Sequence, residues 1–244
     1  MLGCDIDRLT LAGSVERCAR AIESGGYLHQ VSINAAKVVA VRRDRVLRGV
    51  LARAGLVSAD GVSILLAARL LGSPLPERVT GIDLMQRLVA LAEERGHGVY
   101  LLGARPEALA AAIGTLRDRH PRLVIAGHRD GYFGAADEGR VTAAIRSSDA
   151  ELLFVAMGSP RTEHWLGAHG PELGVSVAMG VGGSFDVLAG RAGRAPATVQ
   201  RLGLEWLYRL VQEPRRLARR NLMSVTFVAL LVRELARRAL RRFA

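Results

Sequence analysis

The sequence predicts an α/β chain built on an open, mostly parallel, doubly wound sheet of Rossmann-like type, with helices on both faces and a helical C-terminal appendage. Three observations predict it. Short apolar runs alternate with amphipathic stretches of helical period along most of the chain. Several of those runs are apolar throughout rather than alternating, as strands covered on both faces must be. Glycine is frequent, with 27 copies, as repeated strand-to-helix turns require.

Taken in order, the strands are predicted at 28–33, 56–58, 98–102, 123–127, 152–156 and 175–179. The helices fall at 14–23, 44–54, 62–71, 84–95, 106–119, 137–146 and 161–168. The pattern changes near Ala197. Helices are predicted at 198–212 and 215–221, interrupted at Pro214. An almost wholly apolar stretch follows at 222–232, 11 residues long. A spanning helix needs roughly 20 apolar residues. The flanking arginines, with Trp206, Tyr208 and Phe227 nearby, instead predict a helix lying in a membrane interface. Two units are therefore expected: an α/β domain at 1–196 and a basic amphipathic appendage at 197–244.

Charge supports that division. The net charge is +11, and residues 206–244 hold ten arginines against Glu213 and Glu234, which places +8 there. The appendage is thus expected to meet an anionic surface. Aromatic residues make up 5% of the chain, too few for a single-strand stacking platform, so no nucleic-acid partner is expected. Cys4 and Cys18 are too few for a disulfide framework and read as buried thiols in a reducing compartment. The N-terminus has no basic segment followed by an apolar run, so no signal peptide is expected. No histidine pair has helical metal-ligand spacing; Asp5-Ile6-Asp7 reads as surface, and no metal is expected.

Candidate functional residues gather at predicted strand tips, where ligands bind in open α/β sheets. Asp60 follows a strand and precedes a helix; it could take a proton as a general base or cap the helix, and the two readings are compatible. Ser32 and Asn34 could bind hydroxyl groups or cap the next helix. Arg78 could hold a diphosphate or be a solvated surface residue. Gly182 and Gly183 lie in a glycine-rich turn that lets N–H groups approach phosphate, although no G-x-G-x-x-G or Walker pattern is present. Asp186 could accept from ribose hydroxyls or cap a turn. Gly131 and Tyr132 open a loop whose tyrosine could stack on a base or pack locally.

The order Ser32-x-Asn34, Ala59-Asp60-Gly61, Glu77-Arg78-Val79-Thr80-Gly81, Asp130-Gly131-Tyr132-Phe133, Gly158-Ser159-Pro160-Arg161-Thr162-Glu163-His164-Trp165, Gly182-Gly183-x-Phe185-Asp186 and Arg194-Ala195-Pro196 continues into Gly203–Arg209 and Gln212–Arg216. This resembles the WecG/TagA/CpsF family of bacterial glycosyltransferases over almost the whole chain. The resemblance implies the sheet type called GT-E. It implies inverting, metal-independent transfer, with no cofactor, from a UDP-sugar, often UDP-N-acetylmannosamine, to undecaprenyl-diphosphate-linked N-acetylglucosamine. It implies a cytoplasmic enzyme attached to the inner face of the membrane, and it allows self-association. By position, Asp60 matches the base, Arg78 the arginine beside the diphosphate, and Ser32 with Asn34 the acceptor-site pair. Tyr132 and Asp186 match the contacts to uracil and ribose. Arg209, Arg216 and Arg219 match arginines that reach the lipid diphosphate. Thr162 stands where the family usually has an active-site glutamine, so the donor sugar is expected to be open to change, glucose and uronic acids included.

Overall fold

The computed structural model describes residues 1–191 and 214–243, with side chains of the final helix described at 223 and 225–240. The chain runs α1 (Leu11–Glu23), β1 (Leu28–Ile33), α2 (Ala35–Arg43), α3 (Arg45–Arg53), β2 (Leu56–Ala59), α4 (Val62–Leu70), α5 (Gly81–Arg95) and β3 (Val99–Gly103). It continues through α6 (Pro106–Arg119), β4 (Ile125–Arg129), α7 (Ala135–Arg146), β5 (Leu152–Ala156), α8 (Arg161–His169), β6 (Val177–Gly180), α9 (Ser184–Leu188) and α10 (Pro214–Phe243).

The six strands form one open sheet in the order β2-β1-β6-β5-β3-β4, and every neighbouring pair is parallel. The period-2 alternation of each strand divides the core. Leu28, Leu56, Leu101, Phe154 and Met179 face α1, α5, α6 and α9. On the other face, Val31, Ile33 and Val57 meet α2, α3 and α4, while Leu102, Leu153 and Val155 meet α7 and α8. The run-together apolar strands of the sequence are thus strands buried on both sides. The connection leaving β3 passes outward through α6 on one face. That leaving β5 passes inward through α8 on the other, so the strand order reverses between them.

Local departures from the expected elements have physical causes. β4 starts two residues late because Leu123 N–H still donates to the His120 carbonyl at 3.0 Å, which keeps it in the turn. The valine-rich segment after Asn34 is a helix, α2, because the Asn34 side chain accepts from Lys37 N–H at 3.0 Å and caps it. Asp7 is more than surface: it accepts from Val57 N–H at 2.8 Å and from Arg17 at 2.7 Å, which ties the N-terminal segment along the open edge of β2. Cys4 and Cys18 are buried free thiols, and burial pushes Cys18 up to about 12.

The helix predicted at 215–221 and the apolar stretch at 222–232 are continuous. Pro214 opens one continuous 30-residue helix, the position where proline's missing N–H is harmless. Phe227, expected as an interfacial anchor, is instead buried among the side chains that α2 and β1 contribute to the core. Val225, Val228 and Val232 face outward. Among the described residues, no helix is long and apolar enough to cross a membrane. The expected helix at 198–212 lies outside the described residues.

Candidate active site

The carboxyl ends of all six strands lie along one edge of the sheet, and the sequence-predicted residues with described side chains gather there. Ser32, one residue before the end of β1, lies beside Ser58 of β2; the two pair in register. Both are buried, and with Gln30 they form a polar layer under the edge. Gln30 Nε2 donates to Ser58 Oγ at 2.8 Å and to Ser32 Oγ at 3.2 Å, and the two hydroxyls are 3.4 Å apart. Gln30 is fully buried, and its Oε1 has no partner. The backbone of Gly81, the first residue of α5, lies over Ser32.

Asp60 is half-buried at the tip of β2, and its N–H donates to the Ile33 carbonyl at 2.7 Å. Gly61, not Asp60, occupies the cap position of α4. The segment carrying Arg78 is fixed on both sides: the Glu77 carboxylate accepts from Leu11 N–H, and Val79 N–H donates to the Ala59 carbonyl at 3.0 Å. Arg78 and Asp60 each therefore lie one residue beyond a bonded backbone pair, at the same corner of the edge. Thr80 caps α5, accepting from Asp83 N–H at 3.1 Å.

The opposite half of the edge is built from turns. Gly103 ends β3 at φ +120°, and a Cβ there would lie 2.5 Å from the Ala156 backbone, so only glycine allows this approach. Ala104 follows in the left-handed region at φ +59° and donates its N–H to Ala156 O at 2.9 Å. Its carbonyl accepts from Gly131 N–H at 3.0 Å, which joins the β3 and β4 loops. Tyr132 N–H then donates to Asp130 Oδ1 at 2.8 Å, and Tyr132 is 69% exposed. Phe133 is the packed aromatic of this loop, edge-on to Trp165 with centroids 6.4 Å apart.

Arg161, at the start of α8, donates to the carbonyls of Gly131 at 3.1 Å and Phe133 at 2.9 Å. Its guanidinium also lies 5.2 Å over the Phe133 ring. It is a positioning residue for the Tyr132 loop that sequence reasoning assigned no role. Thr162, expected as a catalytic side chain, is buried: its Oγ1 accepts from Met157 N–H at 3.2 Å and its methyl packs on Gly180. At this position the chain fixes the β5 loop. After β6, Gly182 turns in the left-handed region at φ +54°, and Gly182 and Gly183 are exposed. Asp186 is half-buried on the first turn of α9. Arg209 lies outside the described residues, as do the side chains of Arg216 and Arg219.

Beneath the edge, on the α8 face, lies a buried ion pair absent from sequence reasoning. Lys37 Nζ lies 2.6 Å from Glu163 Oε1, with side chains only 12% and 5% exposed. Desolvation raises the Glu163 carboxyl, but the charge and hydrogen bond of Lys37 outweigh it and hold the group below its usual range, with a weak contribution from Ser159. Glu163 Oε2 is unpartnered. Burial pushes neighbouring His29 down to about 4; Glu163 pulls its value up and Lys37 pushes it down. The signal was present as a lone lysine in the whole chain and as the polar pair His29-Gln30 inside a strand buried along its whole length. The remaining polar pairs are structural, such as His164 with Asp44 at 2.7 Å. Among the described residues, no three His, Cys, Asp or Glu side chains gather as a cation site.

The arrangement thus offers a carboxylate and an arginine at one corner, hydroxyl and amide groups beside them, and glycine turns with an exposed aromatic ring at the other. A family model described as "Glycosyl transferase WecG/TagA/CpsF family" matches residues 1–241. Among curated relatives, the N-acetylglucosaminyldiphosphoundecaprenol N-acetyl-beta-D-mannosaminyltransferase of Staphylococcus aureus (strain MW2) is 34% identical over 221 residues, covering 90% of this chain and 86% of the relative.

Proposed function

Because the chain belongs to the WecG/TagA/CpsF family of glycosyl transferases, we propose that it moves N-acetylmannosamine from a UDP-activated donor to undecaprenyl-diphosphate-linked N-acetylglucosamine, with inversion and without a metal. The observation that carries this reading is the convergence of Asp60, Arg78, Ser32 and Asn34 at one corner of the edge, with the Tyr132 and Gly182–Asp186 turns along the same edge.

In this reading the uracil stacks on the exposed Tyr132 ring, held by Arg161 and Gly131. The ribose hydroxyls donate to Asp186. The turn at Gly182 and Gly183 receives the diphosphate with backbone N–H groups. The acceptor sugar lies over the tips of β1 and β2, facing Ser32 and Asn34. Asp60 removes the proton from its attacking hydroxyl, which displaces UDP from the opposite face of the anomeric carbon. Arg78 supplies positive charge to the departing diphosphate. Thr162 acts through the β5 loop rather than on the sugar. Arg209, Arg216 and Arg219 approach the lipid diphosphate of the acceptor. The exposed side of α10, with Val225, Val228 and Val232 and its arginines, meets an anionic membrane at the inner face of the cell membrane. Residues 197–244 then work as an appendage to the catalytic unit at 1–196.

A second reading, glucosyl or uronic acid transfer within the same family, rests on Thr162, whose hydroxyl is committed to Met157 N–H. The test is a panel of radiolabelled UDP-sugars with a lipid-diphosphate N-acetylglucosamine acceptor, run with and without a chelator. Transfer from UDP-N-acetylmannosamine that survives chelation supports the proposal. Transfer only from another UDP-sugar supports the second reading, and transfer abolished by chelation removes metal independence.

A further inference from the structure

A cavity of about 420 Å³ opens between residues 1–3, the C-terminal end of α2 and the inner side of α10. It lies at the far end of α2 from Asn34, about 13 Å along a nine-residue helix, and so away from the carboxyl edge. Among the described residues its walls carry four guanidinium groups, Arg42 from α2 and Arg233, Arg237 and Arg238 from α10, against the single carboxylate of Glu234. Glu234 is already shared, at 3.2 Å from Arg238 and 3.7 Å from Arg237. Arg238 also donates to the Leu71 carbonyl. The side chains of Arg42 and Arg233 have no hydrogen bond or ion pair among the described residues.

Unbalanced guanidinium groups from two different elements repel one another across a shared opening. The fold brings them together only because Phe227 and Leu230 dock α10 on the core beside α2. A tetrahedral oxyanion is the ligand that such a cluster accepts best, because each guanidinium can offer two parallel N–H donors. We propose that this cavity binds a phosphate group, carried either by a lipid headgroup or by a soluble phosphate ester, and that docking of α10 completes the site. The proposal does not depend on the transfer reaction. It goes beyond general attraction of a basic helix to a membrane, since it assigns a discrete site that includes Arg42, outside the appendage.

The test uses the full chain at low ionic strength. Inorganic phosphate and glycerol 1-phosphate are titrated calorimetrically. Flotation is measured in parallel with phosphatidylglycerol–phosphatidylcholine vesicles and with pure phosphatidylcholine vesicles. Arg42→Gln and Arg233→Gln, both at exposed positions, are compared with Arg117→Gln, an exposed arginine on α6 that removes the same charge. Saturable binding in either arm, weakened about fivefold or more by each cavity substitution and unchanged by Arg117→Gln, is the expected result. Binding of the soluble esters identifies a free phosphate source, and binding confined to phosphatidylglycerol vesicles identifies a headgroup. Absence of saturable binding in both arms overturns the proposal. So does wild-type affinity in the cavity variants, or an equal loss in Arg117→Gln, which would reduce the effect to net charge. Vesicle binding that persists in Arg42→Gln would leave the membrane role of α10 standing while removing the cavity.

Discussion

Replacing Lys37 by methionine leaves the Glu163 carboxyl group, 95% removed from solvent, without its strongest partner among the described residues. Removing one member of a buried pair typically costs about 3–5 kcal/mol, because the desolvation of the remaining charge is no longer offset. For a chain of this size that corresponds to a fall in Tm of about 6–20 °C. The loss should depend on pH with a definite sign. In the wild type, Lys37 holds Glu163 below its usual range, so the pair's contribution is complete above the unfolded carboxyl value, about 4.3, and is lost as pH falls through the folded value. In Lys37→Met only desolvation remains to act strongly on Glu163, so its folded value rises and the group protonates in the fold. The gap between variant and wild type should therefore be widest near pH 8 and narrow towards pH 5. Adding Glu163→Met should recover most of the stability, since a buried pair replaced by apolar groups of similar volume is nearly neutral. Thermal unfolding followed by circular dichroism across pH 5–8 checks all three expectations. A Lys37→Met protein within 2 °C of wild type at pH 7.5, or a double variant no more stable than the single one, would refute the reasoning.

The remaining predictions concern neighbouring groups. His29 stays neutral in the fold down to about 4, whereas in the unfolded chain it takes up a proton below about 6.5. Its contribution, roughly 3 kcal/mol, is thus complete above pH 6.5 and lost between pH 6.5 and 4; His29→Gln should flatten urea stability over that window. Arg161→Ala removes both carbonyl bonds that hold the Tyr132 loop, and UDP affinity by calorimetry should fall roughly tenfold with the fold intact. Tyr132→Ala, at an exposed position, should leave Tm unchanged and weaken UDP about 2- to 12-fold, the range set by an aromatic stacking contact.

Much of the fold was legible because parallel strands buried on both faces leave an unambiguous mark. Leu28–Ile33 and Leu152–Ala156 appear at their predicted bounds, as does α6 after the proline at its first position. α2 was not legible because its Val38-Val39-Ala40-Val41 core favours strand by composition, and only the Asn34 side chain turns it into a helix. The arginine-rich helix read at 215–221 and the apolar stretch read at 222–232 are one helix, α10, which is apolar on two sides. Phe227 faces the core and Val225, Val228 and Val232 face out, so no amphipathic break exists to be read.

Candidate residues for the site could be picked out where a residue type was unusual for a strand tip or loop, as with Asp60, Asn34 and Tyr132. What escaped was the support beneath. The Gln30–Ser32–Ser58 layer and the Lys37–Glu163 pair join residues up to 126 positions apart, and no local pattern can encode that distance. Thr162 shows the converse. Its catalytic role is implied by the family resemblance, whereas the structure has its hydroxyl accepting from the Met157 N–H within its own loop.

The central claim, that Asp60 deprotonates an acceptor sugar at the tip of β2, is tested most directly by single-turnover transfer from radiolabelled UDP-N-acetylmannosamine to an undecaprenyl-diphosphate N-acetylglucosamine analogue by Asp60→Asn and wild type. The variant should bind UDP with unchanged affinity while its rate falls by about 10²–10⁴, the range that general base catalysis supplies. Transfer at the wild-type rate by Asp60→Asn would contradict the account.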